Sequence, residues 1–96
     1  MIDPAQTGLA HFGRNLSQWR TWRGLSIREL GCRSKVSAQN ISRLERGDTI
    51  NPTLGTVYRL AEAVQVRADV LVRPNSFDEF QNRAKVLERE YGENHV

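Results

Sequence analysis

The sequence predicts an all-α protein, five short helices in one small globular unit followed by a longer C-terminal helix. Three observations lead there. Apolar residues recur at three- and four-residue steps, the period of one helix face. Ser26, Ser37, Thr53 and Ser76 stand ahead of such stretches, where a hydroxyl satisfies free amide donors. Residues 26–47, SIRELGCRSKVSAQNISRLERG, space small, apolar and polar positions as two short helices need in order to cross tightly and push one face outward.

Leu9, Phe12, Leu16 and Trp19 place a first helix over residues 9–23, capped by Gly24. Trp19 falls on the core stripe. Trp22 lies off it, as an edge-packing residue against the C-terminal helix. Ser26 opens a second helix and makes a capping box with Glu29, ending near Ser34. Ser37 caps a third, which runs to Arg46 and stops at Gly47. Thr53 caps a fourth, carrying Leu54, Val57, Leu60, Ala61 and Val64 as the residues that close the core. Val66, Val70 and Leu71 mark a short fifth helix before the break at Pro74 and Asn75. The expected divisions are an N-terminal arm (1–8), a globular domain (9–73) and a C-terminal helix and tail (74–96).

The C-terminal helix starts with a second expected capping box, Ser76 and Glu79. Phe77, Phe80, Ala84, Leu87 and Tyr91 follow at alternating steps of 3 and 4, a heptad seam. A helix of about 15 residues is marginal alone in water, so it docks on its own domain or on a second subunit. The narrow stripe favours a second subunit and makes these five residues the expected dimer interface.

In residues 26–47, Leu30, Gly31, Val36, Ile41 and Leu44 form one inward surface. That is the reading frame of a helix-turn-helix, and it leaves Ala38, Gln39, Ser42 and Arg43 outward, where a major groove would meet them. Charge agrees. Residues 1–75 hold 11 Lys and Arg against 6 Asp and Glu, and residues 76–96 hold 3 against 5, so the basic part is the expected nucleic-acid face.

Other classes are disfavoured. No apolar run approaches the roughly 20 residues of a membrane span, and the start, MIDPAQTG, lacks the order of a secretory signal. The lone Cys32 forms no internal disulfide, and a reducing cytoplasm is the expected location. Flanked by Arg28 and Arg33, Cys32 is read as inert before it is read as a redox sensor. His11 and His95 stand near opposite ends, so no metal site, cofactor or catalytic residue is expected.

With these residues in place, residues 12–72 resemble the Xre family of helix-turn-helix domains, the group of phage repressors and Cro proteins. The resemblance rests on FGRNLSQWRTWRGLS, on ISRLERG from Ile41 to Gly47, on Pro52 and on the AEAVQV run. It implies a five-helix repressor-like domain whose third helix enters the major groove of double-stranded DNA, probing bases with Ala38, Gln39, Ser42 and Arg43. Gln39 can pair with adenine, Arg43 with guanine O6 and N7, and Ala38 with a thymine methyl. Ser26, Asn40 and Arg46 match phosphate-contacting positions, Ser37 offers a helix N-terminus to an anion, and Lys35 adds charge near the backbone. Arg20 and Glu45 match an ion pair that orients the third helix.

The chain departs from the family in four places. Ile27 replaces a phosphate-clamping Gln. Gly31 replaces Ala at the close crossing, at a helix-propensity cost of about 1 kcal/mol. Lys35 replaces the glycine of the turn, so either lysine takes a positive φ or the turn shifts by a residue. Asp48, Thr49, Ile50 and Asn51 make the following loop less basic. The expected function is a regulator, a repressor acting as a homodimer on a roughly palindromic operator. The alternatives are an antitoxin-type protein whose tail binds a partner protein, and a restriction-modification controller.

Overall fold

The computed structural model describes residues 11–48 and 51–93, with side chains up to Arg89. Six helices follow one another: α1 (Phe12–Trp22), α2 (Ile27–Ser34), α3 (Ala38–Glu45), α4 (Leu54–Ala63), α5 (Ala68–Val72) and α6 (Ser76–Glu93), with no strand among the described residues. The protein is all-α. Leu9, the 1–8 arm, Thr49, Ile50 and His95 lie outside the described residues.

Local chemistry accounts for the end of α1, both ends of α2 and the starts of α3 and α4. Gly24, at φ +72°, turns the chain out of α1 and donates its amide to the Thr21 carbonyl. At α2 both arms of the capping box form: the Glu29 amide donates to Ser26 Oγ at 3.0 Å and the Ser26 amide to the Glu29 carboxylate at 3.1 Å. Hydrogen bonding from the Ser26 amide, the larger cause, and from the Ser26 hydroxyl holds the Glu29 carboxyl below its ordinary value. Ser37 accepts the Asn40 amide at 3.1 Å, and Thr53 accepts the Thr56 amide at 3.2 Å. Lys35 settles the turn by adopting φ 61° itself, its amide donating to the Gly31 carbonyl. The register is kept, at a cost of about 1 kcal/mol for a left-handed non-glycine residue.

The core joins Phe12, Leu16 and Trp19 of α1 to Leu30, Val36, Ile41 and Leu44, and to Val57, Leu60, Ala61, Val64 and Leu71. α1 packs on α3, α5 and α6, and α4 packs on α2 and α5. Leu54 does not join them. It is 68% exposed, because as the first residue of α4 it lies one turn beyond the stripe that Val57 continues.

α6 departs from expectation in two ways. Ser76 is its first residue rather than its cap; Ser76 Oγ is buried without a partner, and the Glu79 amide donates to the Asn75 carbonyl instead. The Glu79 carboxylate pairs with Arg73 at 3.2 Å. The cause lies in Asn75, whose φ of 60° turns the chain so that Ser76 is buried at the start of the helix. Phe77 is then buried in the domain's own core, and Phe80 is partly buried against it. The globular unit therefore includes the first turns of α6 and does not stop at the proline.

One buried polar side chain fixes this end of the molecule. Asn15, on the apolar face of α1, donates through Nδ2 to the carbonyls of Leu71 and Arg73, both at 2.8 Å. The Leu71 carbonyl lies at the end of α5, where helical partners run out, and the Arg73 carbonyl also accepts the Ser76 amide at 3.4 Å, so Asn15 joins the end of α5 to the start of α6.

Candidate nucleic-acid interface

Viewed down α3, with about 100° between successive residues, Ile41, Leu44 and Glu45 cluster on one side. Ile41 and Leu44 are buried, at 0% and 2% exposure. Gln39, Ser42 and Arg43 fall on the other arc, and Ala38 lies at its edge, next to Glu45. Gln39 and Arg43 are exposed, while Ala38 and Ser42 are half-buried. The helix thus presents two long polar side chains with two short ones between and beside them, a surface able to lie against base edges in a major groove.

What holds α3 in that attitude is its crossing with α1. Gly13 lies directly under the Leu44 carbonyl, and a Cβ there would overlap the carbonyl oxygen. Arg20, a little further along α1, forks onto Glu45: Nε donates to Oε2 at 2.7 Å and Nη2 to Oε1 at 2.9 Å. Its Nη1 donates to the Leu25 carbonyl at 2.8 Å, tying in the α1–α2 turn. The hydrogen bonds to Glu45 raise the Arg20 pKa above its ordinary value, favouring the charged guanidinium that the pair uses. On the α2 side, Gly31 allows the close approach of the turn: a Cβ would come to 3.0 Å from the Val36 carbonyl oxygen.

The residues assigned to phosphates are distributed unevenly. Ser26 and Ser37 sit at the N-termini of α2 and α3, both exposed, with hydroxyls engaged in capping. Asn40 is exposed on the flank of α3. Arg46 folds back along the helix, donating to Ser42 Oγ and to the Asp48 carboxylate, each at 3.0 Å, while remaining largely solvated. A phosphate contact by Arg46 therefore means exchanging Asp48 for DNA. Lys35 is at the other end of α2, lining a hollow with Arg59, Glu62 and Gln65. No three His, Cys, Asp or Glu side chains converge as metal ligands among the described residues, and Cys32 is exposed.

Of the five tail residues assigned to a dimer seam, the structure spends Phe77 in the core and packs Phe80 between Trp19 and Trp22, 5.0 Å from each ring. Trp22 therefore packs at the edge against α6. Ala84 and Leu87 are exposed, and the Tyr91 side chain lies outside the described residues. Two positioning residues escaped the sequence. Asn15 could have been suspected as a polar residue on an apolar stripe. Arg23, whose guanidinium donates to the Val64 and Gln65 carbonyls at 2.8 and 3.1 Å and lies 4.6 Å from the Trp22 ring centre, has no signal beyond being an arginine near a helix end.

Residues 11–74, the span from the start of α1 to the break before α6, match the helix-turn-helix domain family. The chain belongs to that family, within the Xre-like helix-turn-helix superfamily. Over 71 residues this helix-turn-helix protein is 41% identical to the uncharacterized HTH-type transcriptional regulator y4dJ of Sinorhizobium fredii, covering 74% of the present chain and 91% of that one. Over 86 residues it is 31% identical to the HTH-type transcriptional repressor RghR of Bacillus subtilis, covering 81% of the present chain and 64% of the repressor. No described helix is long and apolar enough to cross a membrane.

Proposed function

We propose that this helix-turn-helix protein is a cytoplasmic, sequence-specific, double-stranded-DNA-binding transcriptional regulator. In this reading it is a repressor and binds a roughly palindromic operator as a homodimer. The observation that carries the reading is the exposed arc of α3, set by Gly13 and by the Arg20–Glu45 fork at a fixed angle to α1. Gln39 and Arg43 supply bidentate recognition of adenine and guanine, with Ala38 and Ser42 in closer contact. Ser26, Ser37, Asn40 and Arg46 hold register on the phosphates, and Lys35 contributes long-range charge. The two relatives named as HTH-type transcriptional regulators, one of them a repressor, support regulation as the outcome. In a twofold dimer the two α3 helices enter successive major grooves about 34 Å apart, or a multiple of one turn.

Phosphate contacts and base contacts respond differently to salt and mutation. Binding to random-sequence duplex should weaken steeply with salt as counterions are released. Arg46→Ala should lower affinity alike for all duplexes and reduce the slope of log K against log salt by about 1 per protomer. Fluorescence anisotropy over a salt series measures both. A slope indistinguishable from zero in the wild type contradicts DNA binding through this face.

A further inference from the structure

Two buried side-chain atoms have no hydrogen-bond partner among the described residues, Trp19 Nε1 and Ser76 Oγ. Both residues are almost wholly enclosed, at 3% and 2% exposure, and both line the same open groove of about 1100 Å³ between α1, α5 and α6. Buried polar groups are nearly always paired, and this end of the fold shows how: Asn15, one turn before Trp19 on α1, meets two carbonyls. Trp19 and Ser76 receive nothing comparable. The groove wall is apolar where Trp22, Val66 and Val70 form it. Four arginines also line it, and two of them are already engaged: Arg67 pairs with Asp69 at 3.0 Å and Arg73 with Glu79 at 3.2 Å. The other two, Arg23 and Arg83, meet no carboxylate among the described residues.

We infer that this groove is a binding site for a small amphipathic carboxylate, whose oxygens accept from Trp19 Nε1 and Ser76 Oγ and whose apolar body lies on Trp22, Val66 and Val70. The orphaned atoms set the head group. An indole N–H can only donate and a hydroxyl can donate beside it, so the ligand must be rich in acceptors, and a carboxylate carries two acceptor oxygens on one carbon. The cations set its charge. Arg23 is one turn beyond Trp19 on α1, and Arg83 is two turns beyond Ser76 on α6, so each orphaned atom has a guanidinium on its own helix face. Arg23 keeps Nη1 for a ligand, since its Nε and Nη2 donate to the Val64 and Gln65 carbonyls. The apolar wall sets the body, and the volume is close to the roughly 300–1,000 Å³ of small-molecule sites. In the free protein the two atoms are covered, and Phe80, half-buried with its ring 5.0 Å from both indoles, is the side chain that turns aside to admit the head group. The site is separate from the outward arc of α3 and stands whether or not that arc reads bases.

Isothermal titration calorimetry of the full chain with octanoate, and with octanol as its uncharged match, tests this. Octanoate is expected to bind with a dissociation constant of about 1 mM or tighter, and at least about tenfold more tightly than octanol. Ser76→Ala and Arg83→Gln should each weaken octanoate by about tenfold, as a charge-assisted contact is lost, and Arg83→Gln should leave octanol unaffected. Thermal unfolding separates binding from folding: Ser76→Ala removes a hydroxyl that has no partner, so the midpoint of the ligand-free protein should hold or rise. A wild type that binds no octanoate overturns the site. Equal binding of octanoate and octanol, or variants that bind octanoate as the wild type does, overturns the carboxylate and its assigned contacts. A midpoint that falls in Ser76→Ala shows the hydroxyl to be used within the fold and overturns its role as a ligand donor.

Discussion

Gly13→Ala is expected to destabilise the domain by about 3 kcal/mol or more. Glycine inside a helix normally costs about 1 kcal/mol relative to alanine, so at an open position the same change would stabilise. Here the added Cβ overlaps the Leu44 carbonyl oxygen, and the Leu44 carbonyl carbon is 3.0 Å away. Both belong to the backbone of the last turn of α3, so no side-chain rotation relieves the clash and the α1–α3 crossing has to open. Overpacking a close-fitting core costs about 1–3 kcal/mol where side chains can move, and a rigid backbone puts this case at or beyond the top of that range. Against a total stability of about 5–15 kcal/mol, the loss is large. In urea, with a slope of about 1 kcal/mol/M, the unfolding midpoint should fall by about 3 M. A midpoint that rises, or moves by less than about 0.5 M, contradicts the close crossing.

Arg20→Ala is expected to cost about 2–3 kcal/mol and to weaken DNA binding beyond what its stability loss explains. The pair it breaks is largely desolvated, with side-chain exposures of 16% for Arg20 and 9% for Glu45. Removing one partner from a fully buried pair costs about 3–5 kcal/mol, chiefly by leaving a charge unpaired. The residual solvation of Arg20 reduces that figure. The change also frees the Leu25 carbonyl, which accepts from Arg20 at 2.8 Å. Because the fork spans α1 and α3, its loss loosens the angle at which α3 is presented. A double-mutant cycle with Glu45→Ala measures the coupling: the double variant should be less destabilised than the sum of the singles, since neither charge is then orphaned. Strict additivity would mean that the fork contributes nothing.

The local signals in this sequence translated well, and the reason is physical. A cap is a contract between residues three apart, so Ser26 with Glu29, Ser37 with the Asn40 amide and Thr53 with the Thr56 amide can be read without knowing the rest of the chain. The inward set Leu30, Val36, Ile41 and Leu44 follows from helical period in the same way. Ser76 and Glu79 show the limit of that logic. Their spacing is that of a capping box, yet the φ of Asn75 decides that Ser76 enters the helix and is buried. Phe77 and Phe80 show a second limit. Alternating steps of 3 and 4 describe a stripe, and a stripe does not say whether its partner is the same chain or another. Trp19 and Trp22 provide the partner here. Asn15 was unreadable for a related reason, because its worth depends on carbonyls more than 50 residues away. Within the candidate interface, the sequence marked which residues of α3 face outward, but not that Arg46 leans on Ser42 and Asp48.

The central claim is that α3 reads base sequence rather than only resting on phosphates. Selection of double-stranded sites from a random pool, with wild type and Arg43→Ala in parallel, tests it most directly. An enriched, roughly palindromic site is expected, and in the variant a loss of preference at one symmetric pair of positions, equivalent to about 1–3 kcal/mol of discrimination there. Enrichment of the same site by both proteins would contradict the role of Arg43. Salt-sensitive binding with no site enriched by the wild type would contradict sequence reading by α3 altogether.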